Sequence, residues 1–289
     1  MSAKDAPPPL PEPLPVAVAD SHTHLDMQAP TVEEALTKAG LVGVETVVQV
    51  GCDLKGSRWA AETAARYDNV HAAVALHPNE APRIVLGDPD GWSRQGAREA
   101  GGAAALDDAL AEIDRLAALD HVKAVGETGL DYFRTGPEGK EAQERSFRAH
   151  IEIAKRHGKA LVIHDREAHD DVLRVLAEEG APERTVFHCY SGDADMARIC
   201  AERGYYMSFA GNVTFKNAQP LRDALAVAPL ELVLVETDAP FLTPAPYRGR
   251  PNAPYLIPVT VRAMAAVRGI GEEAMATAIA ENTARAFAY

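Results

Sequence analysis

The sequence contains little cysteine and no long apolar run. Its three cysteines, Cys52, Cys189 and Cys200, are odd in number and scattered without CxxC spacing, so the sequence suggests neither a disulfide framework nor a cysteine zinc site. No apolar run approaches the roughly 20 residues that cross a bilayer, and the N-terminus lacks the pattern of a secretory signal. We therefore expect a cytoplasmic protein that does not act at a membrane.

Positive charge is scarce as well. The chain has 29 lysines and arginines against 42 aspartates and glutamates, which gives a net charge of −13 at pH 7. The field of the whole protein repels a polyanion at long range, and this opposes general adhesion to nucleic acid or to an anionic membrane. A phosphate substrate must therefore be captured locally.

The composition is that of a globular protein with a proline-rich start. With 47% apolar residues over 289 positions, the chain can fill a sizeable core. The opening "MSAKDAPPPLPEPLP" can neither pair as a strand nor continue as a helix. It predicts a flexible, disordered tail over residues 1–15 that lies outside the fold, followed by one domain over residues 16–289. A protein partner that binds this tail is a further hypothesis.

Short β-branched runs alternate with amphipathic segments from Val16 onward, which is the pattern of βα units and a parallel sheet. Eight runs are strand candidates: "VAVADSHTHL", "VETVVQVG", "VHAAVALH", "VKAVGETGL", "ALVIHDR", "RTVFHCYSG", "YYMSFAGNV" and "LELVLVETDAP". Each of the first seven is followed by a helical segment, and two helices follow the eighth. Eight such units in about 270 residues predict a single (β/α)8 TIM barrel.

One stretch interrupts this rhythm after the third strand. The segment "NEAPRIVLGDPDGWSRQGAREAGGAA" is rich in glycine, proline and charge. It predicts a surface loop on the C-terminal side of the strand, where the loops of barrels carry function.

Two histidines end the first strand, within "ADSHTHLD". His22 and His24 are two residues apart, so their side chains project to one face, and at this end of the strand that face is the barrel mouth. The spacing suits two imidazoles on one ion, although a pair of histidines at a strand end is more often solvated or hydrogen-bonded. Further ligands decide between the two interpretations.

Such ligands lie at the corresponding ends of other strands: Glu127 after strand four, His164 after strand five, His188 after strand six and Asp238 after strand eight. A metal site in a barrel mouth must draw its ligands from several strand ends. Four imidazoles and two carboxylates exceed the three protein ligands of one catalytic ion, so the set predicts two divalent ions. The positive charge of two such ions exceeds the negative charge of the two carboxylates, so the site attracts an anionic oxygen.

Five motifs together resemble the TatD-type metal-dependent deoxyribonucleases of the amidohydrolase superfamily. They occur in the order "DSHTHLD", "GETGLDY", "IHDREAHDD", "FHCYSGD" and "ETDAPFLTP", and the resemblance runs from Asp20 to the C-terminus. It implies a TIM barrel that holds two ions in two sets of ligands. The first set is His22, His24, Glu127 and Asp238, and the second is Glu127, as a bridge, with His164 and His188.

The resemblance also implies metal-dependent removal of nucleotides from DNA, as a 3′–5′ exonuclease on single-stranded DNA or DNA ends. We hypothesise that Asp238 accepts a proton from a water between the ions, beside the bridging Glu127, and that the resulting metal-bound hydroxide attacks the phosphodiester. His77 and Arg166 are the candidate phosphate contacts. Four imidazoles favour zinc or manganese, while carboxylates and phosphate oxygens also accept magnesium.

The sequence departs from the family at three places. "LHPNE" keeps His77 but has Asn79 where the "HPH" turn of the family usually has a second histidine, so the sequence departs from the family at one expected phosphate contact. The insertion at residues 86–103 is longer than usual, and the proline-rich tail is extra.

Two interpretations of single residues stay open. Arg166 is either a phosphate contact or a surface arginine paired with Asp170 or Asp171. Tyr132 and Tyr190, next to motif residues, either stack on a base or cover the edge of the site.

Two other functions fit the same residues. One is an amidohydrolase-type hydrolase of a small ester, lactone or amide, because the same metal cradle polarises a carbonyl. The other is a non-catalytic, metal-stabilised binding module. Strand four offers Glu127 where relatives of the first kind often have a carboxylated lysine, which favours the nuclease. The complete ligand set favours an enzyme over a binding module.

Overall fold

A computed structural model describes residues 6–88 and 99–289. Its eight strands are β1 (Val18–Thr23), β2 (Val44–Gly51), β3 (Val70–Val74), β4 (Val122–Asp131), β5 (Ala160–Arg166), β6 (Thr185–Phe187), β7 (Tyr206–Phe209) and β8 (Val233–Val235). Its helices are α1 (Val32–Gly40), α2 (Leu54–Ala64), α3 (Glu80–Leu86), α4 (Gly102–Ala117), α5 (Lys140–His157), α6 (His169–Glu179), α7 (Ala194–Glu202), α8 (Gln219–Val227), α9 (Ile257–Arg268) and α10 (Glu272–Phe287).

The strands follow one another in an eight-stranded sheet in the order of the sequence. Each overlaps one of the eight predicted runs, and the (β/α)8 class is confirmed. Strand residues such as Val47, Val48 and Val74 are fully buried, because a parallel sheet covered by helices excludes water from both of its faces. That burial explains why the strands read as nearly continuous apolar runs.

Local signals set the helix ends. Thr31 begins α1 with a capping box, in which its hydroxyl accepts a hydrogen bond from the Glu34 N–H at 3.2 Å while the Glu34 carboxylate accepts one from the Thr31 N–H at 2.9 Å. Gly158 ends α5 with φ of +60°, a left-handed conformation that costs glycine little. Within the described ranges, no helix combines the length and the apolarity of a membrane span.

The chain divides into two compact units. Unit 1 consists of the described residues up to Gln49, Tyr67–His71 and Val186–Tyr289, and unit 2 consists of Val50–Arg66 and the described part of Ala72–Thr185. In unit 1, β1 pairs with β2, and β7 pairs with both β6 and β8. In unit 2, β4 pairs with β3 and β5. All of these pairs are parallel.

The prediction that the proline-rich segment lies outside the fold is wrong for residues 6–15. This segment is extended, as expected, but it packs on unit 1. The guanidinium of Arg250 donates to the carbonyls of Ala6, at 2.8 Å, and Pro7, and the hydroxyl of Tyr255 donates to the carbonyl of Pro8 at 2.8 Å. Proline carbonyls still accept hydrogen bonds although proline has no N–H, so side-chain donors fix a segment that joins no sheet.

The predicted loop after β3 contains a helix, which corrects the expectation for its first part. Residues 80–86 form α3, whose Arg83 pairs with Glu80 at 2.6 Å one turn away and whose Ile84 is buried. Pro82 lies in the first turn, where a missing N–H costs nothing. The insertion expected at residues 86–103 falls largely on residues 89–98, which lie outside the described residues.

Candidate functional site

In unit 1 the backbone brings the end of β1 beside the residues that follow β8. The Asp238 N–H donates to the His22 carbonyl at 2.9 Å, and the His24 N–H donates to the Ala239 carbonyl at 2.9 Å. This ladder places the Asp238 side chain next to the two imidazoles predicted from the sequence. Its backbone has φ of +52°, in the left-handed region that aspartate tolerates better than most residues.

The side chains of these three residues converge on one point. The Nε2 atoms of His22 and His24 lie 3.3 Å apart, and Asp238 Oδ1 lies 3.4 Å from His24 Nε2 and 3.8 Å from His22 Nε2. Ligands of a tetrahedral ion at zinc–nitrogen distances lie about 3.3 Å from each other. The spacing therefore fits a divalent cation held by two imidazoles and one carboxylate.

A second group of ligands in unit 1 shares His22. The ring of His188 stacks on that of His22 with centroids 3.9 Å apart, and His188 Nδ1 lies 3.3 Å from Glu236 Oε1. The same carboxylate oxygen accepts the Cys189 N–H at 2.8 Å. Burial raises the pKa of Glu236, although the hydrogen bond to His188 opposes that shift. We call His22, His24, His188, Glu236 and Asp238 the unit 1 cluster.

Asp20 forms hydrogen bonds with the backbone of residues in and next to this cluster. Its side chain is fully buried and accepts hydrogen bonds from the backbone N–H groups of Thr237, at 2.9 Å, and His22, at 3.3 Å. Burial raises the pKa of Asp20 to about 8. The carboxyl thus ties the residue that precedes Asp238 to the strand that carries His22.

Unit 2 holds the other predicted ligands. Glu127 Oε2 lies 3.3 Å from His164 Nδ1, and Glu127 Oε1 lies 3.1 Å from the Cys52 sulfur. His164 Nε2 lies 3.1 Å from Asp131 Oδ2, and the rings of His77 and His164 meet edge to face at 4.4 Å. We call His77, Glu127, Asp131 and His164 the unit 2 cluster; three of its members, His77, Asp131 and His164, have ligand atoms close enough to share an ion.

Asp131 is the centre of a hydrogen-bond network in this cluster. Its Oδ2 atom accepts a bond from the Asn79 amide at 3.0 Å, and its backbone N–H donates to Gln143 Oε1 at 3.0 Å. Burial by itself raises the pKa of the Asp131 carboxyl, but the contact with His164, the Arg134 N–H and Asn79 together hold it below the ordinary value. The carboxylate is therefore ionised and fixes the orientation of the His164 ring.

Asn79, which stands where the motif resemblance leads us to expect a second histidine, has structural partners in this cluster. Its backbone N–H donates to His77 Nδ1 at 3.0 Å, while its side-chain oxygen accepts from the hydroxyl of Thr135 at 3.0 Å. The replacement connects His77 with Asp131 through hydrogen bonds and leaves His77 beside His164.

Arg166 follows His164 by two residues, and its guanidinium lies over the ring of Phe133, 3.8 Å from the centroid. Among the residues that the structure describes, no carboxylate lies within ion-pair distance of it. Asp171, one of the two partners considered from the sequence, accepts instead from the hydroxyl of Tyr132 at 2.9 Å and from Arg174 at 3.1 Å.

The two tyrosines considered for base stacking are engaged elsewhere. Tyr190 is 2% exposed, and its hydroxyl donates to the Asp193 carbonyl. Besides its bond to Asp171, Tyr132 has the Lys140 ammonium 3.6 Å above its ring. Tyr190 is thus part of the core, and a cation already covers one face of Tyr132.

Sequence reasoning missed two carboxylates that contact the imidazole rings of predicted ligands, Asp131 and Glu236. Each lay inside a motif that was already singled out, Asp131 in "GETGLDY" and Glu236 in "ETDAPFLTP". The available signal was their position on the same strand end as a ligand, at a spacing that keeps both side chains near the site.

Comparison with known proteins points in one direction. A model of the family described as TatD related DNase matches residues 19–288. The Mycobacterium tuberculosis protein called uncharacterized metal-dependent hydrolase TatD is 42% identical over 278 residues, covering 93% of this chain and 97% of that protein. The Bacillus subtilis metal-dependent hydrolase YabD is 35% identical over 271 residues, covering 93% and 98%. The crystal structure of YJJV, a TatD homologue from Escherichia coli, superposes with a TM-score of 0.81 at 26% identity, covering 94% and 98%.

Proposed function

The chain belongs to the family of TatD-related DNases and is a metal-dependent hydrolase, and from that premise we propose that it hydrolyses phosphodiester bonds of DNA, removing nucleotides from the 3′ end of single strands. The observation that carries the proposal is the convergence of His22 Nε2, His24 Nε2 and Asp238 Oδ1 within 3.3–3.8 Å of each other. Two imidazole nitrogens and one carboxylate oxygen at such a spacing fit the ligand positions of a divalent cation.

We assign two divalent ions to the protein, zinc or manganese with magnesium as the alternative. His22, His24 and Asp238 hold one ion, with His188 beside them in the unit 1 cluster. Glu127 and His164 supply ligands in the unit 2 cluster. When bound, the ions polarise a phosphoryl oxygen and increase the acidity of water. The role of Glu127 as a bridge, and a cytoplasmic location, stay predictions.

The side chains of this chain supply the rest of the chemistry. Asp238 accepts the proton of the attacking water at a carboxylate oxygen, so no covalent intermediate with the enzyme is needed. The Arg166 guanidinium donates hydrogen bonds to a non-bridging phosphate oxygen and neutralises its charge. This role is consistent with the lack of an ion-pair partner for Arg166 among the described residues. His77 contacts a second phosphate oxygen beside His164.

A direct test uses a 5′-labelled single-stranded DNA oligonucleotide. The purified protein is incubated with manganese, with zinc, with magnesium and with a chelator, alongside Asp238→Asn and the control Asp195→Asn. Asp195 is an exposed aspartate paired with Arg198, so its variant should match the wild type. We expect a ladder that shortens from the 3′ end, requires metal and disappears in Asp238→Asn.

Two outcomes would contradict the proposal. An intact oligonucleotide in every lane, from protein that contains two ions per chain, would reassign the site to a small ester, lactone or amide. Products that shorten from the 5′ end, or internal cuts, would retain the nuclease and reject the 3′ exonuclease mode.

A further inference from the structure

Phe133 is a large aromatic side chain with 54% of its surface exposed, and it lies two residues beyond the buried Asp131. A single exposed phenylalanine is common on protein surfaces, so its exposure alone carries no meaning. The way in which the residue is fixed is informative. The Asp131 Oδ1 atom accepts the N–H groups of Phe133, at 3.1 Å, and of Arg134, at 2.9 Å.

The same carboxylate therefore connects Phe133 with the unit 2 cluster. While Oδ1 fixes the Phe133 backbone, Oδ2 lies 3.1 Å from His164 Nε2. The pairing of β4 with β5 adds a second constraint, because Asp131 lies opposite Arg166 in the register and the Tyr132 N–H donates to the Arg166 carbonyl at 2.9 Å. The exposed ring is thus held in a defined position relative to a candidate metal ligand.

Two cations surround the ring. The Arg166 guanidinium lies 3.8 Å from the Phe133 centroid and covers one face, and that of Arg134 lies 6.0 Å from the centroid. A guanidinium on an aromatic face is a favourable contact that also orients the ring. Because more than half of Phe133 is exposed, the surface left uncovered by Arg166 is accessible to a ligand.

We propose that Phe133, backed by Arg166 and flanked by Arg134, is a stacking platform for one nucleobase of the DNA strand. This inference rests on the proposed function and adds a subsite for one base of the DNA substrate. A single strand alternates flat bases with anionic phosphates, and the platform offers an aromatic face beside two cations. Stacking is independent of base identity, so the platform positions a strand without selecting its sequence.

Space for the continuing strand lies beside the platform. A cavity of ≈ 250 Å³ is lined by Arg134 and by Asn79, Thr135 and Leu86, among others. Arg134 belongs to both the platform and the cavity, and Asn79 belongs to both the cavity and the network of Asp131. The next nucleotide enters this cavity while the base on Phe133 keeps the strand in register with His164.

Binding in the presence of a chelator separates the platform from catalysis. We would measure the Kd of wild-type protein, Phe133→Leu and Phe133→Trp for single-stranded DNA, and the fluorescence of 2-aminopurine placed at successive positions from the 3′ end. Phe133→Leu keeps an apolar side chain but removes the aromatic face. We expect its Kd to rise by about 5- to 100-fold, as for the loss of one stacked base, and Phe133→Trp to bind like the wild type.

The position of the stacked base is tested with abasic DNA. Replacing one nucleotide at a time by an abasic site should weaken wild-type binding most at a single position, where 2-aminopurine is also quenched. At that position Phe133→Leu should cause no further loss, because both changes remove the same contact. Tyr289→Leu, which removes an exposed aromatic that packs on His71, serves as the control and should leave binding unchanged.

The outcomes distinguish the subsite from the function. If wild-type protein degrades DNA with metal, and Phe133→Leu binds single strands as tightly with the same quenching, the platform is rejected and the nuclease stands. If wild-type protein neither binds nor degrades DNA, both are rejected. With metal, loss of the platform should raise KM for the oligonucleotide while kcat changes little.

Discussion

The two clusters contain the same kinds of side chain and are organised in different ways. In the unit 1 cluster, imidazoles contact each other directly, with His22 and His24 almost fully buried and their Nε2 atoms 3.3 Å apart. In the unit 2 cluster, His164 is 18% exposed and contacts carboxylates, with Glu127 on one ring nitrogen and Asp131 on the other. The spacing in the first arrangement fits a bound cation, whereas in the second arrangement carboxylates contact both nitrogens of one imidazole ring.

The two clusters therefore fix the positions of their candidate metal ligands in different ways. In the unit 1 cluster, the buried imidazoles of His22 and His24 lie at ligand spacing beside the Asp238 carboxylate, and Glu236 contacts His188. In unit 2, the ionised Asp131 and its partners Asn79 and Gln143 select the orientation of one ring before any ion arrives. Removing one candidate ligand should therefore abolish metal binding in the unit 1 cluster. Removing one member of the hydrogen-bond network should only weaken metal binding in the unit 2 cluster.

The largest effect is expected from His24→Ala. The variant loses one of the three side chains that converge in the unit 1 cluster. We expect metal content to fall by one ion per chain and kcat/KM on an activated phosphodiester to fall on the order of 10³-fold, because a bound ion supplies several kcal/mol of transition-state stabilisation. Elemental analysis and initial rates measure the two quantities.

His157→Ala is the matched control for this variant. His157 is a histidine that pairs with Asp114 at 2.8 Å, within unit 2 and outside its cluster. It should retain the metal content and the rate of the wild type. A His24→Ala protein that kept two ions and most of its activity would show that the convergence of the unit 1 side chains has no role in metal binding.

The next effect concerns acid stability of unit 2. His150 is fully buried, its Nε2 atom accepts the Leu76 N–H at 3.1 Å, and burial lowers its pKa to about 4. Above pH 6.5 the residue is neutral in the folded and unfolded states, and its contribution is complete. As the pH falls from 6.5 to 4 the unfolded state binds a proton first, so the free energy of unfolding decreases by about 3 kcal/mol.

Urea unfolding of wild type and His150→Gln between pH 7.5 and 4 checks this prediction. The variant starts less stable, because it disturbs a buried site, but its stability should depend less on pH over that range. Parallel curves for wild type and His150→Gln would mean that His150 titrates normally and that the strand end before His77 is not held by a neutral imidazole.

Asp131→Asn tests the unit 2 network itself. The substitution keeps the shape of the side chain but removes the charge that orients His164, and we expect metal affinity or activity to fall about 10- to 100-fold. Asp114→Asn is a matched control, since it changes another aspartate paired with a histidine. If Asp131→Asn lost as much as His24→Ala, the contrast between the clusters would disappear, because both would then depend equally on single ligands.

The sequence was sufficient to predict those site residues whose positions follow from the two-residue period of a strand. His22 and His24 share a face because they are two apart, and Asp238 joins them because parallel strands end on the same side. The Asp131 network could not be read in this way. Its partners Asn79 and Gln143 lie 52 and 12 residues away, and only the folding of two helical segments brings them together.

The N-terminal segment escaped prediction for a related reason. Composition shows that "APPPLPEPLP" has few backbone donors, and a segment without donors reads as a disordered tail. Its carbonyls can still accept, and the arginines that donate to them come from the other end of unit 1. Arg262, for example, donates to the carbonyl of Glu12 at 2.8 Å, 250 residues away.

The smallest effect is expected where that segment meets unit 1. Arg250→Ala removes the hydrogen bonds to the Ala6 and Pro7 carbonyls, which are partly exposed to water, so the free energy of unfolding should fall by about 1 kcal/mol or less. Metal content and kcat should stay unchanged, because burial and ligand contacts, and not this segment, organise the unit 1 cluster. Arg198→Ala, which removes an exposed pair with Asp195, sets the baseline for a surface arginine. A loss of metal from Arg250→Ala would show that the proline-rich segment supports the unit 1 cluster. The unit 1 cluster would then depend on residues distant in the sequence, as the Asp131 network of unit 2 does.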